Sequence, residues 1–107
     1  MREGIAMNID FTRLITPEAR AAADLAARRE AMVCSRLQGR LVLGPDVVAR
    51  LDAIAADPAE SWGLRETIAN ATEWHRNSQT MAVLAWVLGI TDVQMDTLFE
   101  AAMQVVV

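Results

Sequence analysis

Lysine is missing altogether, so all ten basic residues of the 107-residue chain are arginine. Seven of them fall in residues 1–44 against five acids, whereas residues 45–107 hold three against nine, and no basic residue follows Arg76. The first part is therefore +2 and the second −6, a split that lets the two attract each other within a chain or between copies. Cysteine is nearly absent too. With Cys34 alone there is no intramolecular disulfide and no sign of an oxidising compartment. Helical neighbours of Cys34 would be apolar or small, the surroundings of an inert thiol. Histidine occurs once, as His75, and no serine, cysteine or aspartate stands at a recognisable catalytic spacing from it. Long apolar runs are lacking. The longest, Met81 to Ile90, is half of what a membrane span requires, and MREGIAMNIDF has no hydrophobic signal region. A soluble intracellular product is the expectation, with Met7 as an alternative start.

What is abundant is alanine. Nineteen alanines inflate the 53% hydrophobic share and add helix propensity more than buried area. The length suits one domain with a modest core. The expected fold is all-α, a small bundle of four to five helices ending in a helical hairpin, with an extended N-terminal arm. Residues 1–15 form that arm, 16–44 a first helix and connector, and 45–107 the helical core.

In the arm, Ile5, Met7, Ile9 and Phe11 alternate with polar or small residues, the period of two that gives a strand one apolar face. Such a strand either packs on its own helices or adds to a partner. Thr16, Pro17 and Glu18 then open a helix expected to run to about Gln38. Arg29 and Arg36 interrupt its apolar side, so it would bury little and would project or lie on an acidic surface. Gly39 and Gly44 bracket a connector, Arg40 to Leu43. Pro45 begins a helix with Val47, Val48, Leu51, Ile54 and Ala55 as its buried stripe. Asp57, Pro58 and Glu60 predict the cap of a third helix reaching Arg76. On it Leu64, Ile68, Ala71 and His75 share one side, which reads His75 as a packed core or boundary residue before a catalytic base. Trp62 lies off that side and Trp74 near its edge; each is a candidate for an interface, or for a wedge between helices of its own domain.

The stretch from Ser78 to Val107 is the clearest unit. Met81, Leu84, Ala85 and Leu88 repeat at helical spacing, as do Met95, Leu98, Phe99, Ala102, Met103 and Val106. Gly89 ends the first helix, and Thr91 with Gln94 makes a capping box for the second. Leu84, Leu88, Leu98 and Phe99 should be buried where the two cross, with Trp86 close by. This pair also fits a helix-turn-helix template, with Ala85 at close packing, Gly89 in the turn, and Met95 and Leu98 inward. A DNA reader needs cations on its second helix. The row expected to be exposed there is Asp92, Asp96 and Glu100. Three acids in line on one helix do not make a hard-cation site without oxygens from elsewhere, and like charges at i, i+4 favour an Arg-bearing partner.

The segment NIDFTRLITPEARAAADLAARREA, together with WHRNSQTMAVLAWVLGITDVQMDTLFEAAM, resembles small Ala-rich proteins encoded among the tail genes of tailed bacteriophages and prophages. The resemblance implies a non-enzymatic role in the tail or tail-fibre module, as a structural protein or an assembly helper. It brings no catalytic residue, metal or cofactor. The expected partners are other tail proteins and copies of this chain, with no nucleic acid, membrane or small-molecule substrate. The expected location is the host cytoplasm during assembly, or the virion tail. Ile5, Met7, Ile9, Phe11, Leu14, Arg29, Arg36, Trp62, Asp92, Asp96 and Glu100 are the candidate protein-interaction residues. A helix-turn-helix regulator is the alternative, and an enzyme subunit completed by a second chain is a third reading.

Overall fold

The computed structural model describes residues 16–107. Ile5, Met7, Ile9, Phe11 and Leu14 lie outside the described residues. Along the chain run α1 (Pro17–Glu30), β1 (Val33–Ser35), α2 (Arg36–Leu43), α3 (Pro45–Ala56), α4 (Trp62–Asn70), β2 (Glu73–His75), α5 (Gln79–Leu88) and α6 (Asp92–Met103). The all-α architecture stands, with six helices among the described residues and one short ribbon in which β1 and β2 pair antiparallel.

That ribbon accounts for two departures from the expected boundaries. The first helix does not reach Gln38. It ends at Ala31, and the chain extends through Val33, Cys34 and Ser35 before Ser35 caps a new helix. The Ser35 hydroxyl accepts from the Gln38 N–H at 3.0 Å while the Gln38 side chain accepts from the Ser35 N–H at 2.8 Å, a reciprocal capping box. Arg40 to Leu43 is therefore helical rather than a connector. The third helix does not reach Arg76 either: it is capped by Ser61, not Asp57, and stops at Asn70. Beyond it Glu73–His75 pairs with β1, setting Val33 opposite His75, Cys34 opposite Trp74 and Ser35 opposite Glu73.

The pairing decides which residues go inward. Strand neighbours point to opposite faces, so Cys34 and Trp74 enter the core while Glu73 and His75 face out. His75 is thus an exposed strand residue, 3.5 Å from Glu73, and not part of a buried helical stripe. Cys34 sits on a strand rather than a helix; it is buried, and burial pushes its thiol above the ordinary value, which keeps it protonated and inert.

Trp74 is the wedge between elements. Its ring lies against Gly39 of α2 so closely that a Cβ there would sit 2.2 Å from the ring. Glycine inside a helix costs up to about 1 kcal/mol relative to alanine, and here the ring's approach requires it. Around this contact gather Met32, Cys34, Leu51, Leu64, Ile68, Met81, Leu84, Ala85, Leu88, Met95, Phe99 and Ala102, with Leu98 partly buried. The core therefore draws on Met32 and Cys34 as well as on residues 45–107. Trp86, expected near the closing helices' crossing, is 84% exposed.

Gly89, at φ 71°, ends α5 in the left-handed region, and Ile90 N–H returns to the Ala85 carbonyl at 2.8 Å. The Thr91–Gln94 capping box then starts α6 as expected. The two helices bend by 113° at this break, and no single described helix is long and apolar enough to cross a membrane.

Two substitutions test this packing. Phe99→Ala should lower unfolding free energy by about 3–5 kcal/mol, read by urea denaturation. Gly39→Ala should destabilise by about 1–3 kcal/mol through overpacking, despite its better helix propensity. A Gly39→Ala protein more stable than the parent would show that Trp74 does not need that approach.

Candidate functional site

Of the charged residues singled out in the sequence, Arg29, Asp92, Asp96 and Glu100 converge at one end of α1, and Arg36 does not. Arg29 donates from Nε to Asp96 Oδ1 at 2.9 Å and from Nη2 to Oδ2 at 2.8 Å, a bidentate pair. Arg76, the residue after β2, donates from Nε to the same Oδ1 at 2.9 Å. Its Nη2 reaches the Asp92 carbonyl and Oδ1, each at 3.3 Å. Backbone geometry fixes this placement, since the Arg76 N–H is held by the Met32 carbonyl at 3.0 Å.

Asp96 therefore does not belong to an exposed row. Its side chain is 11% exposed, buried beneath two guanidinium groups, because it faces the end of α1 and β2 rather than solvent. Asp92 and Glu100 remain exposed at 77% and 57%, and Glu100 lies 3.9 Å from Arg28. Three ion pairs among the described residues, Arg28–Glu100, Arg29–Asp96 and Arg40–Asp52, join the arginine-rich first part to the acidic second part inside one chain. A buried carboxylate with two cationic partners must stay ionised. The hydrogen bond from Arg29 is the largest cause holding Asp96 below the ordinary aspartate range, with burial opposing and Arg76 reinforcing it. The same bond raises Arg29.

Among the described residues Arg36 has no acid partner. Its guanidinium donates to the Ala69 carbonyl at the end of α4, as Arg65 Nε donates to Ala55 at the end of α3 at 3.2 Å. Both satisfy carbonyls that a helix leaves open. Trp62 opens α4 and is 73% exposed. The two ends of the candidate list are thus separated: Arg29 and Asp96 bind each other, Arg36 caps a helix, and Trp62, Asp92 and Glu100 face solvent. Among the described residues no three histidine, cysteine or carboxylate side chains are gathered to hold a metal ion.

Sequence reasoning missed the role of Arg76, whose side chain is 8% exposed. No local signal marks that role, because it depends on the three-residue strand Glu73–His75, which pairs only with the distant Val33–Ser35.

The helix α1 carries the remaining feature. None of its residues is buried; twelve of its fourteen are exposed and only Leu25 and Arg29 are half-covered. Comparison with protein-family models, curated proteins and solved structures gives no match for this chain.

The cluster predicts a hierarchy. Arg76→Gln removes the more buried partner and should cost about 3–5 kcal/mol. Arg29→Gln should cost about 1.5–3 kcal/mol, because Arg76 still serves Asp96. Equal losses in urea melts would contradict that order. Asp96 has a depressed folded pKa, so its stabilisation is complete above the unfolded value of about 3.9 and is lost as pH falls through the lower folded value. An NMR titration should place the Asp96 midpoint below 3.9; a midpoint above it would contradict the double pairing.

Proposed function

We propose that this chain is a non-enzymatic structural or assembly protein of a phage or prophage tail module, acting through contacts with other proteins. The observation that carries the protein-contact reading is α1, a capped helix of fourteen residues that buries none of them. Isolated helices of that length are marginal in water, so a partner surface gives α1 a use that its own domain does not. The tail assignment is supported by the resemblance of the first and last segments to small tail-module proteins.

The helix-turn-helix alternative has one geometric point in its favour. The 113° corner between α5 and α6 falls within the about 90–120° typical of that motif. Its chemistry runs the other way. The outward residues of α6 include Asp92, Gln94, Thr97 and Glu100, with no arginine between Asp92 and Met103, and phosphate repels such a face.

Two measurements separate these readings. The tagged full chain, expressed with an induced prophage of its own host, should co-sediment with tails or tail intermediates. Incubated with nonspecific duplex DNA at low salt, it should show no binding. Absence from every tail fraction combined with tight, salt-sensitive duplex binding would replace this proposal with the regulator.

A further inference from the structure

We propose that the cleft beside the α5–α6 corner receives the apolar segment Ile5–Phe11 of a second copy of this chain. This deepens the protein-contact reading and rests on it. The acid row Asp92, Asp96 and Glu100 is not the acceptor, because its central carboxylate is already held by Arg29 and Arg76. The acceptor must be another surface.

The cleft has the right chemistry. It is an open groove of about 520 Å³ in which Leu43 and Val47 face Ile90, Val93 and Leu98, and no charged residue lines it. Val93 is 74% exposed, so a large aliphatic side chain stands at its edge facing water. A Cβ built on Gly89, in its wall, would meet nothing within 4 Å. A charge-free, aliphatic groove of this volume lies in the range of recognition pockets, about 300–1,000 Å³. Its occupant should present apolar side chains with the polar ones turned away.

The chain holds a segment of that description. In Ile5, Met7, Ile9 and Phe11 every second residue is apolar, and Asn8, Asp10 and Thr12 alternate with them. Read as a strand, it would span about 20 Å and set its apolar side chains on one face. An apolar-faced segment entering a groove is an established mode of peptide recognition.

The second copy, rather than the same chain, follows from where the segment is attached. It precedes α1, whose far end is about 21 Å from the Arg29 end at 1.5 Å per residue. Because α1 buries none of its residues and its ion pairs to α6 come from Arg28 and Arg29 near its C-terminal end, its N-terminal end lies away from those contacts. Entering its own cleft would require the segment to retrace that distance, whereas a neighbouring copy needs no return. Segment and cleft are different surfaces, so the contact is head-to-tail and generates rings or open strings of subunits.

Sedimentation velocity on the full chain over a range of concentrations provides the test, with Val93→Glu in the cleft and Ile9→Asp in the segment. The parent should grow from one chain to multiples of it as concentration rises. Each variant should remain a single chain; the Val93→Glu protein should keep the parent's helical circular-dichroism melt, because Val93 is 74% exposed. An equimolar mixture should regain a two-chain species, since the Val93→Glu protein supplies an intact segment and the Ile9→Asp protein an intact cleft. A parent that stays a single chain, a variant that associates as the parent does, or a mixture that fails to recover overturns the proposal. If the parent is a single chain yet still co-sediments with tail fractions, self-docking fails while the tail reading survives.

Discussion

One carboxylate, Asp96, holds together three parts of the chain that are far apart in sequence. Arg29 comes from the end of α1, Arg76 from the end of the ribbon, and Asp96 itself from the first turns of α6. Burying an ion costs several kcal/mol even after relaxation, so the site is tolerable only because every side of the carboxylate is met. Oδ1 takes a bond from each arginine, and Oδ2 takes two more from Arg29. Replacing the set by apolar residues would stabilise as well or better in many proteins. What the ionic version adds is a bidentate contact from the end of α1 to α6, beside the buried Met32 that follows the helix.

The need for that contact follows from the rest of α1. A helix that packed along its length would be oriented by the packing itself. Here no residue is buried and only Leu25 and Arg29 are half-covered, and Thr16 with Pro17 at one end and Arg28 with Arg29 at the other supply its local stability. The helix is thus anchored at one end, and Arg29 serves both as its C-terminal cation and as its anchor. The domain beneath is ordered by a different device, the insertion of Trp74 against Gly39. That contact sets the spacing between the ribbon and α2, and α2 is tied to the C-terminal stretch by the Gln38 Nε2 bond to the Val105 carbonyl at 2.9 Å.

Local chemistry made the closing unit legible in the sequence. Gly89 at a left-handed C-terminus and the Thr91–Gln94 box each need only neighbouring residues to act, and both occur as read. The Ser35–Gln38 box was equally readable, since S-x-x-Q is a helix-start signature, but the alanine-rich run before it outweighed it and the first helix was carried too far. The ribbon was not legible in the same way. Three-residue strands have no periodicity to measure, and Val33–Ser35 and Glu73–His75 gain their bonds only from each other across forty residues. Misplacing that pair misplaced His75 and Trp74 together, because strand alternation turned one outward and the other inward.

The candidate interaction residues divide along the same line. Charge asymmetry between the two parts of the chain is visible in the sequence; that Arg28, Arg29 and Arg40 reach acids of the second part within one chain is defined only by the fold. Asp96, held by Arg29 and Arg76, is no longer open to a neighbouring copy, whereas Asp92 and Glu100 stay exposed. Beside these acids the described surface also carries large apolar side chains. Val93 stands exposed beside the groove lined by Leu43, Val47 and Ile90, and Trp62 and Trp86 are exposed elsewhere. Exposed tryptophan is the residue type most enriched where binding energy concentrates. A partner that covered these side chains would remove apolar area from water, the dominant favourable term in most protein association.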